Sequence, residues 1–238
     1  MKLKVLDLFS GIGGFSLGLE RAGFETVAFC EENVHATKIL NKHWPDIPVH
    51  KDVRTLDARK YRGAVDVVCG GFPCQPHSFS GEREASEDSR DLWPEYFRII
   101  SEGKFKWVIG ENVLGILSSE NGRFFGRVLR GLASIGYDAE WFNLPGGAIG
   151  AEHIRPRIWL VAYPNKAQRK RGCISKRIQK EYTDTSYPRW GKDKPGVDRV
   201  SNGVPYQMDR LARIGNAVIP QIPEMIGKAI MECENETT

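Results

Sequence analysis

At 238 residues with 41% hydrophobic content, the chain is long enough to bury a full core, as one domain or one domain with a small lobe, and its composition excludes a disordered or fibrous protein. No apolar run approaches the ~20 residues of a membrane span; the opening MKLKVLDLF is broken by Asp7, and a soluble cytoplasmic protein without membrane contact is expected. The net charge of +4 is mild, and the five cysteines (Cys30, Cys69, Cys74, Cys173, Cys233) lack the paired spacings of a zinc site or disulfide framework, so free thiols and no metal are expected.

Along the first two-thirds, short apolar or β-branched runs alternate with helix-period stretches, which predicts βα units and a mostly parallel sheet flanked by helices, an α/β fold. Strands are expected at 5–9, 26–30, 65–69, 107–110 and 158–163, with a further short strand-like segment before Asp52. Helices are expected over 15–22, 34–42, 93–102 and 122–135. After residue 163 neither period is sustained, until an apolar helix over about 221–231. Between residues 165 and 199 eleven Lys or Arg face four acids, a local balance of +7 on an otherwise near-neutral chain. That segment suits a polyanion, and equally a solvated basic loop.

The stretch DLFSGIGGFSLGLERAG runs from a strand through Gly11, Gly13 and Gly14 into a helix. At the carboxyl edge of a parallel sheet such a turn lets backbone approach a ligand closely. It is not a Walker loop, and Ser16 stands where a dinucleotide fingerprint has its third glycine. Glu31 and Glu32, in FCEEN, follow about 20 residues later, where an acid can accept hydrogen bonds from ribose hydroxyls. Turn and acid together point to an adenosine-containing cofactor without choosing a nicotinamide or a methyl donor. Asp52, in HKDV, is a further candidate for an adenine contact.

Three more segments are expected at the same edge: GGFPCQ after the fourth strand, GENV after the fifth, and IRPR before IWLVAY. They bring a thiol (Cys74), a carboxyl (Glu111) and two guanidinium groups (Arg155, Arg157). Each alone is commonplace, as a small buried hydrophobe, a surface acid or a surface charge pair; together at strand ends they have the character of a reaction centre.

In order and character, DLFSGIGGFSLGLERAGF, GGFPCQPHSFSG, ENV, IRPRIWLVAY and RIGNAVIPQIPEMIGKAI resemble the motifs of DNA (cytosine-5) methyltransferases, from Val5 to Ile230 with only the basic segment unmatched. The resemblance implies the S-adenosylmethionine-dependent methyltransferase fold with a small basic target-recognition lobe. It divides the chain into a catalytic and cofactor-binding part (1–163), a short basic recognition region (164–211) and a C-terminal segment (212–238) that returns to the first part. It also implies chemistry: Cys74 adds to carbon 6 of cytosine, Glu111 bonds ring nitrogen 3 and the amino group, and Arg155 and Arg157 hold the carbonyl and the catalytic loop, with Arg155 favoured for the base. Asp7, Phe9, Gly11, Gly13, Gly14, Glu31, Glu32, Asp52, Val53 and Asn216 are then expected around S-adenosylmethionine, and Gln75, Ser80 and Asn112 at the substrate.

Pro73 and Pro76 stiffen the backbone around Cys74, and the hydroxyl-rich HSFSGEREASEDSR after it suits a loop that closes on a flipped-out base, with Ser80 as the wedge. The last helix is expected to close the cofactor site, with Ile222, Met225 and Ile226 as packing residues. His153 departs from the glutamine that usually opens the arginine motif, His77 replaces a more usual aromatic, and the region between the arginine and Gly-Asn motifs is short, as in enzymes of bacteriophages and prophages. Tyr182, Tyr187 and Trp190 among the basic residues suit phosphate contacts and stacking. Duplex DNA is the expected partner and a cognate restriction endonuclease a candidate one. A tRNA cytosine methyltransferase and a DNA-binding protein without catalysis are the alternatives.

Overall fold

The computed structural model describes residues 2–73, 91–151, 155–167, 172–184 and 217–236. Their framework is a seven-stranded sheet made of β1 (Lys4–Leu8), β2 (Glu25–Cys30), β3 (Val49–His50), β4 (Val67–Gly70), β5 (Trp107–Val113), β6 (Tyr137–Asn143) and β7 (Arg157–Pro164). The strand order is β3-β2-β1-β4-β5-β7-β6. The first five strands pair in parallel, whereas β7 runs antiparallel to both β5 and β6.

Side chains alternate across this sheet as the two-residue strand period requires. Leu6, Leu8, Val68 and Val108 enter a core with α3 (Trp93–Gly103) and α4 (Arg123–Ser134). Val5, Val67, Ile109 and Val161 enter the other, beneath α1 (Gly14–Arg21), α5 (Cys173–Asp184) and α6 (Gln221–Asn235). Helix α2 (Val34–His43) joins β2 to β3 and begins at Asn33, whose side chain accepts from the amides of His35 and Ala36. Ile222, Met225 and Ile226 of α6 are buried packing residues, as expected, each worth roughly 1.5–3 kcal/mol of transfer free energy. Trp107 Nε1 donates to Glu234 Oε1 at 2.9 Å and ties the end of α6 to the start of β5.

Two elements were not expected from sequence. Strand β6 lies at the sheet edge, partly exposed along most of its length, so YDAEWFN carries no clean apolar alternation. Helix α5 falls where no sustained period was read, because its apolar stripe is narrow: Cys173, Ile174 and Ile178 are its buried apolar residues. Glu140 of β6 accepts from the amides of Ile174 and Ser175 and from the Ser175 hydroxyl, holding the first turn of α5 to the sheet. The part of the basic segment that α5 forms is thus packed on the catalytic body.

The cysteine expectation also needs correction. Cys173 and Cys233 form a disulfide between α5 and α6 across a sequence separation of 60, and Cys30 and Cys69 are buried free thiols. Sequence spacing cannot show that two helices so far apart in the chain lie side by side. No helix among the described residues is long and apolar enough to cross a membrane.

Candidate active site

The chain reverses its direction of travel across the sheet between β1 and β4, so the segments leaving these strands part and open a crevice at their carboxyl ends. A cavity of about 860 Å³ fills it, toward the upper end of the range for small-molecule sites and roomy enough for two reactants.

One side is the glycine turn. Phe9, Gly11 and Gly14 line the cavity, together with Ile12 and Phe15. A side chain at Gly14 would meet the Val218 carbonyl oxygen at 2.6 Å, so glycine lets the segment entering α6 lie directly on the turn. Ala217 and Val218, which lead into α6, line the cavity as well. Glu31, at the end of β2, accepts from the Gly11 amide at 2.7 Å and from the Asn33 amide at 2.8 Å, joining the turn to the start of α2. Glu32 and Val53 also line the wall.

Three of the expected cofactor residues are placed behind it. Gly13 lies under the Trp44 ring. Asp7 is fully buried, and its Oδ2 accepts from the Ser16 hydroxyl at 2.7 Å and amide at 3.3 Å. Desolvation pushes its carboxyl up to about 7 against the Ser16 hydrogen bonds, with the Glu31 charge adding to the rise. Asp52 turns to Arg54, accepting from its amide at 2.9 Å, while its neighbours Lys51 and Val53 face the cavity.

The other side is built on β4, β5 and β7. Glu111 is partly buried on β5, with 13% of its side chain exposed, and Arg157 Nε lies 3.0 Å from its Oε1. Burial raises the Glu111 pKa, opposed by the charges of Arg157 and Arg155 and by the Arg157 hydrogen bond. A side chain at Gly71 would come 3.0 Å from Glu111 Oε2, so the glycine after β4 leaves the carboxylate its space. Arg155 does something else: its Nη2 donates to the Ala217 carbonyl at 3.0 Å, from a residue whose φ of 36° is uncommon for a side-chain-bearing residue. Burial lowers its pKa first, then the Arg157 charge. Arg157 is thus the guanidinium that pairs with the Glu111 carboxylate. Asn112 donates to the Phe72 carbonyl at 2.9 Å, and Pro73, the residue before Cys74, lines the cavity. Cys74, Gln75, His77, Ser80, His153 and Asn216 lie outside the described residues.

The profile of C-5 cytosine-specific DNA methylases matches residues 3–197. The chain belongs to this family. The chain is 36% identical over 167 residues to the type II methyltransferase M.NgoMIV of Neisseria gonorrhoeae, covering 70% of this chain and 53% of the relative. It is 41% identical over 135 residues to M.Eco47II of Escherichia coli, covering 56% and 32%. The crystal structure of an Escherichia coli prophage protein, described as a DNA modification methyltransferase, superposes with a TM-score of 0.62 at 29% identity, covering 71% of this chain and 49% of that one. The chain thus spans a third to about half the length of these methylases.

Sequence reasoning had not named Ile12, Phe15, Lys51, Phe72, Leu92 or Val218 on the cavity wall. Ile12 and Phe15 sit inside the quoted glycine motif and were within reach. Leu92 and Val218 arrive from segments whose placement depends on tertiary packing, and no local signal marks them.

Proposed function

We propose that this chain transfers a methyl group from S-adenosylmethionine to carbon 5 of a cytosine turned out of duplex DNA. The observation that carries the reading is the Glu111–Arg157 pair, set beside Pro73 in the same cavity that the glycine turn and Glu31 enter from the other side. Family membership supplies the chemistry that this pair fits.

The residues present suit the cofactor. Phe9, Gly11, Glu31, Glu32, Val53 and Val218 would hold it: backbone and carboxylate for the polar parts, apolar wall for the rest, with Asn216 added from the motif. When bound, it supplies an electrophilic methyl on a sulfonium.

Carbon 5 of cytosine is a weak nucleophile, and the protein's task is to change that. Glu111 is a carboxyl whose burial favours the protonated form while two guanidinium groups favour the charged one, so it is suited to share a proton with ring nitrogen 3. Arg157 fixes its direction. Cys74, as thiolate, would add to carbon 6, and the electron pair displaced onto carbon 5 would take the methyl as the methyl–sulfur bond breaks, a neutral thioether being the leaving group. Loss of the carbon 5 proton and departure of Cys74 restore the ring. Extruding the base costs a few kcal/mol of unstacking. The basic segment 164–211 reads the duplex, supported by its charge. Likeness to type II methyltransferases makes a cognate restriction endonuclease the partner to seek, and the prophage-encoded neighbour favours a phage or prophage source.

The test is transfer of labelled methyl to duplex DNA and, separately, to tRNA, followed by bisulfite sequencing. Label at a fixed cytosine in DNA is expected; label in tRNA alone, or in neither, would refute the reading.

A further inference from the structure

Backbone pairing between β4 and β5 stops at Gly70 opposite Gly110. Beyond it the strands part, which is what opens the cavity between Gly71–Pro73 on one side and Glu111 on the other. Continuing the same register would set Phe72 opposite Asn112. There the backbone ladder is replaced by a side chain: Asn112 Nδ2 donates to the Phe72 carbonyl at 2.9 Å. The amide cannot be turned over without loss, because its Oδ1 accepts from the Val113 amide at 2.8 Å, and a flip would set two donors face to face. Asn112 is buried, with 6% of its surface exposed, so the bond is little weakened by water.

The same tripeptide is gripped elsewhere. The Phe72 ring packs against Trp93 and Tyr96, with centroids 5.2 and 5.7 Å away, and the Leu92 amide donates to the Pro73 carbonyl at 3.4 Å. Those contacts hold it to α3. The Asn112 bond alone of these ties it to the strand that carries Glu111, one residue away in sequence.

We propose that Asn112 is a positioning residue for the nucleophile: by bonding the Phe72 carbonyl across the opened strand ends, it fixes Gly71–Pro73, the residues that lead into Cys74, to the strand that carries Glu111. This assignment rests on the cytosine methyltransferase reading of the site and differs from the substrate contact expected of Asn112. Its side-chain polar atoms are both engaged by backbone before any base arrives.

The experiment compares wild type with Asn112→Asp, near-isosteric but with an acceptor facing the Phe72 carbonyl, and with Asn112→Ala, which adds no charge should the first fail to fold. Three quantities are read: the rate of covalent trapping of Cys74 by duplex DNA carrying 5-fluorocytosine, the equilibrium affinities for that DNA and for S-adenosylmethionine, and the melting temperature. Displacing a reacting group by about 1 Å costs on the order of 100-fold in rate. A fall of about that size in trapping rate and kcat is expected in a folded variant, with both affinities within about threefold of wild type. A wild-type trapping rate in folded Asn112→Ala would overturn the assignment. So would a loss of DNA affinity as large as the loss of rate, which would mark a base contact. Trapping by the wild-type protein establishes the underlying reading separately; its absence would remove both.

Discussion

Breaking the Cys173–Cys233 disulfide should leave the native structure standing and still cost stability. The two helices it joins have other ties: Arg177 donates to Glu232 at 3.0 Å and pairs with Glu236, Lys228 lies 3.9 Å from Glu181, and Ile174 and Ile178 are buried. The bond's main effect therefore falls on the unfolded chain, where it closes a loop spanning 60 residues that includes most of the basic segment. In the chain-entropy account a loop of that length is worth about 4 kcal/mol at 25 °C. For a chain of this size each kcal/mol moves Tm by about 2–4 °C, which predicts a fall of roughly 8–16 °C. Calorimetry of the oxidised protein, the same protein in excess dithiothreitol, and Cys173→Ser separates the bond from any effect of a buried hydroxyl. The oxidised form should melt highest and the other two should agree, with methyl transfer at 25 °C similar in all three. Five free thiols in non-reducing buffer, or a Tm shift below about 3 °C, would refute the reasoning.

Three further outcomes are expected. Burial pushes the Asp7 carboxyl up to about 7 from its ordinary 3.8, so the native state keeps a proton that the unfolded chain has lost between these values. Stability should therefore fall as pH rises from about 4 to about 7, by up to ~4 kcal/mol; urea midpoints of Asp7→Asn should lack that component, and parallel pH curves for the two proteins would contradict it. Gly71→Ala puts a methyl 3.0 Å from Glu111 Oε2 and should lower kcat by about 10- to 100-fold with little change in Tm, whereas wild-type turnover would show that the carboxylate has room to spare. Arg157→Ala removes the guanidinium that lowers the Glu111 pKa, so the carboxyl should titrate higher still by NMR; an unmoved titration would mean the pair is not formed in solution.

The sequence disclosed what is local. The first glycine turn, the helices that follow β1, β2 and β5, and the acid at the end of β2 are written in short-range patterns, and the structure sets them within a residue or two. Glu111 and Arg157 were legible as types and positions, because strand ends gather at one edge of an α/β sheet. Their pairing was not, since it depends on which arginine side chain turns inward. Asp7 and Asp52 show the same limit in reverse: both stand beside strands at the expected edge, yet burial against Ser16 takes one away from the cavity and Arg54 takes the other. Helix α5 and the disulfide escaped because a stripe of three buried residues is too short a period to register, and the partner of Cys173 lies 60 residues on.

The arginines show how topology completes a site that parallel strands alone would leave open. In a fully parallel sheet, the start of a strand lies at the edge away from the ligand, and Arg155 precedes β7 while Arg157 opens it. Because β7 runs antiparallel to β5, its first residue, Arg157, pairs with Val113 at the end of β5, two residues beyond Glu111. One reversed strand thus delivers a cation to the edge where the parallel strands deliver the carboxyl. It also carries Arg155 to the Ala217 carbonyl, so the segment that closes over the glycine turn is fastened to the same strand. The glycine-turn wall and the Glu111 wall are therefore linked through a single irregular dipeptide before β7, and Arg155, with its positive φ, is the residue whose backbone makes that turn.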